Sequence, residues 1–281
     1  MGNLKEELKG KLTEEELALL KRSFDTVGNV IIIEIPEGLE AKEKLIAETL
    51  LQMHKNIKTV LKKVGVHSGK YRRQKLKVIG GEKSKEATYR ENGVVLKLGV
   101  EKVYFSPRSS TERKRISDQV CDGEKILVMF SGCGPFPLVI SKNAKPAAIY
   151  GIELNPIAHK YAVENVLINK AKTVILIKGD VRKEVPKLLK QAECKSGFDR
   201  ISMPLPKGAE KFLDVALSAS KKGTIIHFYD FAKEEEIPAV LAEKVEKACK
   251  KAKKEYEILK IVKCGDFGPR IYRVCVDFEI K

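Results

Sequence analysis

Short β-rich runs alternate with longer helical patterns along the second part of the chain, from about residue 111 onward. The β-rich runs are Lys125 to Phe130, Ala148 to Glu153, Thr173 to Ile177, Arg200 to Met203 and Gly223 to Tyr229. Such alternation is typical of βαβ units, in which parallel strands form one sheet and helices cover both of its faces. We therefore predict an α/β fold with a doubly wound parallel sheet. The final runs, 258–264 and 270–280, predict a terminal hairpin on that sheet.

Residues 1 to about 104 have a different pattern, which predicts a smaller α+β module. Thr13 followed by Glu16 forms a capping-box pattern at the start of a helical stretch. The β-branched run 27–36 predicts a strand, and Asn92-Gly93 between alternating apolar residues predicts a β-hairpin. We accordingly predict two domains, the basic α+β module over 1–104 and the doubly wound domain over 105–281.

Basic residues are in large excess. Lys and Arg number 54 against 38 Asp and Glu, which gives a net charge of +16. Thermophile proteins are also rich in Lys and Glu, but balanced enrichment would leave the net charge near zero, so the excess favours a polyanionic partner such as nucleic acid. Six dispersed cysteines without a Cys-x-x-Cys pair predict no metal site. No apolar run approaches the roughly 20 residues of a membrane span, and we expect a cytoplasmic protein without a membrane partner.

The first predicted strand of the sheet runs directly into a glycine-containing turn, Ser131-Gly132-Cys133-Gly134-Pro135-Phe136. Gly-x-Gly after a buried strand allows a tight turn and a close approach of the backbone to a ligand. A dinucleotide fingerprint would need a third glycine three residues beyond Gly134, where this chain has Pro137. The turn therefore predicts a ligand site without a pyrophosphate cradle.

Two further strand ends carry acidic residues. The second strand ends in Glu153, about 20 residues after the glycine turn, where a carboxylate can accept hydrogen bonds from both ribose hydroxyls. The third ends in Gly179-Asp180, where an acidic side chain can receive an adenine amino group. Asn155-Pro156 supplies the N-cap and first residue of the intervening helix. Either carboxylate alone could simply cap a helix, but three strand ends in register predict a nucleoside-containing cofactor, S-adenosylmethionine.

Two segments carry a family resemblance. The segments Tyr104-Phe105-Ser106-Pro107-Arg108-Ser109-Ser110-Thr111-Glu112-Arg113 and Phe130 to Phe136 resemble the archaeal and eukaryotic tRNA (guanine-N1)-methyltransferases, which act on the guanosine at tRNA position 37. The resemblance implies a class I methyltransferase Rossmann-like fold, an RNA-binding role for the N-terminal module, and tRNA as partner; we also expect a monomer. The cofactor-binding residues that follow are Phe130, Gly132, Gly134, Pro135, Phe136, Glu153, Asn155, Asp180 and Val181.

The resemblance also implies catalytic residues. Guanine N1 carries a proton and is a poor nucleophile until that proton leaves, and Glu112 matches the family's proposed general base. Arg72 falls where the family has an arginine that stabilises negative charge developing on guanine O6. The alternative interpretations are a carboxylate favoured in the first turn of a helix for Glu112 and an ordinary phosphate contact for Arg72.

Three substrate-binding residues are implied in the same way: Arg108, Pro204 and Arg270. Pro204 departs from the family pattern, because many members have at this position an asparagine that can hold the target base. Proline has neither a backbone N–H nor a polar side chain, so only its carbonyl is left for such a contact.

Two other functions stay open beside a tRNA (guanine-N1)-methyltransferase. One is the sister family that transfers the 3-amino-3-carboxypropyl group of the same cofactor in wyosine biosynthesis. Arg108 and the Gly134-Pro135-Phe136 turn favour methyl transfer over that reaction, whereas Pro204 weakens the distinction. The other is a non-catalytic RNA-binding relative, which the intact Gly132 and Glu153 disfavour.

Overall fold

A computed structural model describes residues 3–21, 23–69, 73–205 and 207–281. The chain divides into two compact units, one of Met1–Arg90 with Val95–Pro107 and one of Glu91–Val94 with Arg108–Lys281. Within the described ranges, no helix is long and apolar enough to cross a membrane.

The first unit is built on a four-stranded sheet and most of a hairpin, whose turn over Glu91–Val94 is assigned to the second unit. Its helices and strands are α1 (Leu4–Glu7), α2 (Glu14–Leu19), β1 (Asp25–Val27), β2 (Val30–Ile33), α3 (Glu43–Met53), β3 (Thr59–Ser68), β4 (Arg73–Gly81), β5 (Glu86–Glu91) and β6 (Val94–Gly99). The sheet order is β1-β2-β3-β4, and only β2 and β3 are parallel. The predicted hairpin is confirmed as β5-β6, with left-handed Asn92 (φ 44°) and Gly93 (φ 80°) in its turn.

The strand predicted over 27–36 is interrupted in the structure. Gly28 has φ 57°, and β1 turns there into the antiparallel β2. A Cβ at Gly28 would lie 1.8 Å from the carbonyl oxygen of Thr88, so the close approach admits only glycine. The apolar run therefore forms a tight hairpin, and Ile31 and Ile33 of β2 are fully buried against Ile46 and Leu50 of α3.

The second unit is an α/β sandwich around a seven-stranded sheet. Its helices and strands are α4 (Ser110–Ser117), β7 (Lys125–Met129), α5 (Pro135–Asn143), β8 (Ala148–Glu153), α6 (Pro156–Ile168), β9 (Val174–Lys178), α7 (Val181–Leu188), β10 (Phe198–Met203), α8 (Leu213–Ser218), β11 (Ser220–Lys233), α9 (Ala239–Ala252), β12 (Tyr256–Gly268) and β13 (Ile271–Ile280). The sheet order is β12-β13-β11-β10-β7-β8-β9, with β7 to β11 parallel and β13 antiparallel to both neighbours. The predicted doubly wound sheet with its terminal hairpin is confirmed.

The chain reverses its direction across the sheet at β7, which lies between β8 and β10. In open α/β sheets, ligands bind at such a switch point, outside the carboxyl ends of the strands. The residues predicted to bind a cofactor follow β7, β8 and β9, and this topology places all three strand ends at the same edge.

The two faces of the sheet differ in chemistry. Leu127, Ile201, Met203 and Phe228 face an apolar core shared with α7, α8 and α9. The alternate positions of β10, β11 and β13 carry buried polar side chains, which are Arg200, Ser202, His227, Tyr229, Cys275 and Asp277. Parallel strands buried on both faces are normally apolar throughout, so this polar row needs partners from another element.

Candidate active site

The backbone after β7 adopts an unusual run of left-handed residues. Phe130 and Gly132 both have φ 59°, and Gly134, the N-cap of α5, has φ 89°. A left-handed conformation costs an aromatic residue such as Phe130 roughly 1–2 kcal/mol, and strain of this kind concentrates at functional sites. Pro135 then begins α5, where its missing N–H is not needed. The turn thus presents backbone rather than side chains at the carboxyl end of β7.

Glu153 is held between this turn and the start of α6. One carboxylate oxygen accepts the N–H of Gly132 at 2.7 Å, and the other accepts the N–H of Asn155 at 2.6 Å. Asn155 in turn caps α6, since its side-chain oxygen accepts the N–H of Ile157 at 3.0 Å. Burial raises the pKa of Glu153, and the backbone N–H groups of Asn155 and Gly132 oppose that shift. Two backbone donors therefore fix the carboxylate, and its remaining lone pairs can accept hydroxyl groups.

The end of β9 completes this edge. Asp180 is the N-cap of α7 and accepts the N–H of Arg182 at 3.0 Å, while Val181 is buried beneath it. The preceding Gly179 donates its N–H to the carbonyl of Glu153 at 2.9 Å, which ties the second and third strand ends together. Gly132, Glu153 and Asp180 thus come together as the sequence predicted.

The turn also contains a polar atom that suggests a ligand. Ser131 is buried, and among the described residues its hydroxyl oxygen has no hydrogen-bond partner. Buried polar groups are nearly always satisfied, so an unpaired hydroxyl in this turn marks a place where a hydrogen-bonding partner is missing. These residues fit a nucleoside-containing cofactor.

Glu112 lies in the first turn of α4 and is only 5% exposed. One of its oxygens accepts the hydroxyl of Tyr229 at 2.7 Å and Nη2 of Arg115 at 2.8 Å. The other oxygen accepts Nε of Arg115 at 2.7 Å. Burial raises the pKa of Tyr229 well above 10, so this hydroxyl keeps its proton and acts as a donor. A favourable position in the first turn of a helix therefore does not explain all the contacts of Glu112, because Tyr229 and Arg115 also bind it.

The contacts of Glu112 continue into the polar row of the sheet. Arg115 also donates to both oxygens of Asp277, and Asp277 Oδ1 lies 2.6 Å from Nδ1 of His227. Nε2 of His227 lies 2.9 Å from Nη1 of Arg200. Because arginine only donates, Nε2 must accept, so the proton of a neutral His227 resides on Nδ1 and is donated to Asp277. Burial lowers the pKa of His227, which keeps the ring neutral, and the His227 and Arg115 contacts hold the pKa of Asp277 well below its ordinary value.

We call this set of side chains the buried polar network; its members are Glu112, Arg115, Glu124, Arg200, His227, Tyr229 and Asp277. Glu124 ends it by accepting Nε and Nη2 of Arg200 at 2.7 and 2.8 Å. Apart from Glu112, the sequence prediction missed these residues. The available signal was a polar residue at alternate positions of strands that should be apolar on both faces.

One part of the network resembles a metal site in its residue types. Donor atoms of His227, Cys275 and Asp277 lie within 4.8 Å of one another. Burial raises the pKa of Cys275 well above its ordinary value, so the thiol stays protonated and donates to Asp277 at 3.2 Å. With Arg115 also bound to Asp277, a cation already occupies the position next to this carboxylate. Hydrogen bonding accounts for the cluster.

The predicted substrate residues are placed as follows. Arg108 is exposed in a short 3-10 turn just before α4. Pro204 follows β10 in a tight turn, in which the N–H of Leu205 donates to the carbonyl of Met203 at 2.7 Å. Arg270 is exposed in the β12-β13 turn with φ 53°, near the carboxyl end of β11. Arg72 lies outside the described residues.

Comparison with known proteins identifies the family. The model of the TRM5/TYW2 methyltransferase domain matches residues 87–259, and that of the TYW2 N-terminal domain matches residues 4–84. The chain is 38% identical over 267 residues to the tRNA (guanine(37)-N(1))-methyltransferase Trm5b of Pyrococcus abyssi, covering 95% of this chain and 77% of the relative. The crystal structure of that protein superposes with a TM-score of 0.85 at 37% identity, over 96% of this chain and 78% of the other.

Two further relatives extend the comparison. One is the tRNA (guanine(37)-N(1))/4-demethylwyosine(37)-methyltransferase Taw22 of Nanoarchaeum equitans, 37% identical over 92% of this chain and 99% of its own. The other is the crystal structure of Pyrococcus horikoshii TYW2 in complex with MeSAdo, with a TM-score of 0.80 at 26% identity, over 99% of this chain and 97% of that one. The family predicted from the sequence is confirmed: the chain belongs to the TRM5/TYW2 methyltransferase family.

Proposed function

We propose that this chain transfers the methyl group of S-adenosylmethionine to N1 of the guanosine at position 37 of tRNA. Family membership bears out the sequence predictions of a methyltransferase fold, of an enzyme and of this cofactor. Three curated relatives are above 35% identity, and all three are named as methyltransferases acting at tRNA position 37. The names of two of them include guanine-37 N1-methylation, whereas the third, at 36%, is named a 4-demethylwyosine(37)-methyltransferase; this supports methyl transfer over the aminocarboxypropyl alternative. The observation that carries the proposal is the carboxylate of Glu112, buried and oriented by Tyr229 and Arg115.

The cofactor would be held at the edge formed by β7, β8 and β9. Glu153 would accept hydrogen bonds from its ribose hydroxyls, and Asp180 would accept one from its adenine amino group. The proposed contacts also include Phe130, Gly132, Gly134, Pro135, Phe136, Asn155 and Val181. When bound, S-adenosylmethionine supplies an electrophilic methyl group on a sulfonium. The work of the chain is to position guanine N1 in line with that group, and positioning can supply much of the rate.

Glu112 is proposed to take the N1 proton. A carboxylate has about four acceptor positions, and Tyr229 and Arg115 together occupy three of those on Glu112. The position left over is on the oxygen that accepts only Nε of Arg115. Arg115 balances the charge of the carboxylate, and the protonated Tyr229 fixes its rotation. Glu112 can therefore accept one more hydrogen bond without breaking the contacts that orient it.

The remaining predicted residues would act on the RNA. Arg72 is proposed to stabilise negative charge on guanine O6, and Arg108 to contact a phosphate. The carbonyl of Pro204 would accept a hydrogen bond from the target base. Arg270 would lie beside the RNA loop that contains this base. We further propose that residues 1–104 form the tRNA-binding module. We also propose that the enzyme is a monomer and that it acts in the cytoplasm.

A labelled-cofactor assay separates the candidate functions. A tRNA transcript with guanosine 37 is incubated with cofactor labelled on either the methyl or the carboxypropyl portion, and a transcript with adenosine 37 is the control. We expect only methyl label to reach the RNA, at N1 of guanosine 37. Label from the carboxypropyl portion would instead indicate the sister reaction. A chain that does not bind the cofactor and does not transfer label would be a non-catalytic relative.

A further inference from the structure

Phe267, near the end of β12, is a large aromatic residue on the surface. Its side chain is 65% exposed, although its ring stacks on Phe231 with centroids 4.2 Å apart and planes inclined by 31°. Scattered exposed apolar residues are ordinary and need no explanation. Phe267 differs because one ring face is already supported by a second aromatic ring.

The position of this stack relates it to the proposed catalytic base. Tyr229 and Phe231 are two residues apart on β11, so their side chains project from the same face of the sheet, roughly 7 Å apart. Tyr229 donates its hydroxyl to Glu112. The Phe231–Phe267 stack therefore lies two residues beyond Tyr229, the partner of Glu112, towards the carboxyl edge where the proposed cofactor residues also lie.

A basic residue follows the stack on the same hairpin. Arg270 is exposed in the turn that follows Phe267. An aromatic platform beside arginine is how many proteins bind unpaired RNA bases, since every base has a π-face that can stack.

We propose that Phe267 stacks against an unpaired nucleobase adjacent to the target guanosine, with Phe231 as its support. This inference rests on the proposed function. A guanine drawn out of an RNA loop to reach Glu112 leaves its neighbour without a stacking partner, and an aromatic ring can replace that partner. An RNA base suits the site better than an apolar protein segment, because the exposed Arg270 lies three residues after Phe267 in the same hairpin and the chain has a net charge of +16.

A fluorescence experiment tests the contact directly. The chain contains no tryptophan, so the Phe267→Trp variant would carry a single reporter at the proposed contact. We expect its fluorescence to be quenched as tRNA transcript is added, and not by S-adenosylmethionine alone. Leu167→Trp is the matched control, because Leu167 on α6 is 72% exposed and lies away from this edge. Unchanged fluorescence of Phe267→Trp with tRNA bound would overturn the inference.

Kinetics with defined transcripts provide the second test. Phe267→Ala is expected to raise the KM for tRNA by about 5- to 150-fold, with kcat and cofactor affinity within twofold, and Phe267→Tyr should restore it. On a transcript that lacks the base on one side of the target, the Phe267→Ala effect should disappear. An unchanged KM, or an equal effect with either neighbouring base removed, would overturn the stacking contact. Failure of the wild-type chain to methylate tRNA would instead contradict the proposed function. The stacking contact is judged only from the difference between the variants and the wild type, so the two failures are distinguishable.

Discussion

The edge of the sheet that we propose to bind the cofactor, called here the cofactor edge (Gly132, Glu153, Asn155 and Asp180), is built differently from the buried polar network. At the cofactor edge, Glu153 is fixed by the backbone N–H groups of Gly132 and Asn155. In the network, side chains hold other side chains across long stretches of sequence: Tyr229 is 117 residues from Glu112, and Asp277 is 162 residues from Arg115. The first site therefore depends on backbone conformation, and the second on the identity of each side chain.

This difference predicts how each region responds to substitution. A backbone donor survives most side-chain changes and is lost only when the turn changes shape. A buried charged side chain that loses its partner is left unpaired, which is far more costly. Substitutions in the network should therefore affect stability and turnover, whereas those at the cofactor edge should affect mainly cofactor affinity.

The largest effect on stability is expected for Asp277→Asn. It leaves Arg115 with one carboxylate partner and places an amide NH2 against one of the N–H donors that Asp277 now accepts, so the free energy of unfolding should fall by about 3–5 kcal/mol in urea denaturation. Asp122→Asn is the control, because Asp122 is exposed and should change stability by less than about 0.5 kcal/mol.

The same variant has a predictable pH dependence. Because the pKa of Asp277 is lowered in the folded state, its contribution is complete above its ordinary pKa of 3.8 and is lost as the pH falls through the lower folded value. The stability difference between wild type and Asp277→Asn should therefore shrink only below about pH 4. A difference already lost by pH 6 would show that the network is not held by this carboxylate.

Glu153→Gln should reduce cofactor affinity. Loss of a charge-assisted contact is expected to weaken S-adenosylmethionine binding by roughly 10- to 150-fold in calorimetry. Because glutamine has only one oxygen, one of the two backbone N–H groups loses its acceptor, and stability should fall by about 1–3 kcal/mol. Since burial raises the pKa of Glu153 above 4.5, wild-type affinity should begin to fall on acidification before that pH is reached. The exposed Glu243→Gln is the control. Wild-type affinity that stayed constant down to pH 4.5 would contradict this role.

Gly132→Ala tests whether backbone shape is what binds the cofactor. The added Cβ would meet no atom within 4 Å, so the substitution acts only through the left-handed φ of 59°, at roughly 1–2 kcal/mol. Gly123→Ala is a matched control, with φ 82° and open space in the loop before β7. Both variants should lose similar stability, and only Gly132→Ala should lose cofactor affinity. Equal cofactor affinities of the two variants would show that the turn at Gly132 does not contribute to cofactor binding.

The smallest effect is expected for Tyr229→Phe, which removes one donor to Glu112 and keeps the ring packed near Phe136. One neutral donor contributes about 0.5–1.5 kcal/mol, so kcat should fall roughly 2- to 13-fold while cofactor affinity stays unchanged. A fall in cofactor affinity instead would assign Tyr229 to the cofactor edge.

The sequence was informative where the chemistry is local. A buried strand, a Gly-x-Gly turn and an acidic residue at the next strand end are close in sequence, and the sheet topology brings them together. The network could not be assembled in this way, because no local pattern pairs Arg115 with Asp277. The prediction of one continuous strand over 27–36 was wrong for a related reason. The chain turns at Gly28, which lies close to Thr88, and these two residues are far apart in sequence.

The most direct test of the catalytic account is the single-turnover rate of methyl transfer to guanosine-37 tRNA by the wild type and by Glu112→Gln at saturating cofactor. Glutamine retains a similar shape but cannot take the N1 proton, so the rate should fall by about 10²- to 10⁴-fold, with cofactor affinity within twofold. A Glu112→Gln rate equal to that of the wild type would contradict the assignment of Glu112 as the base.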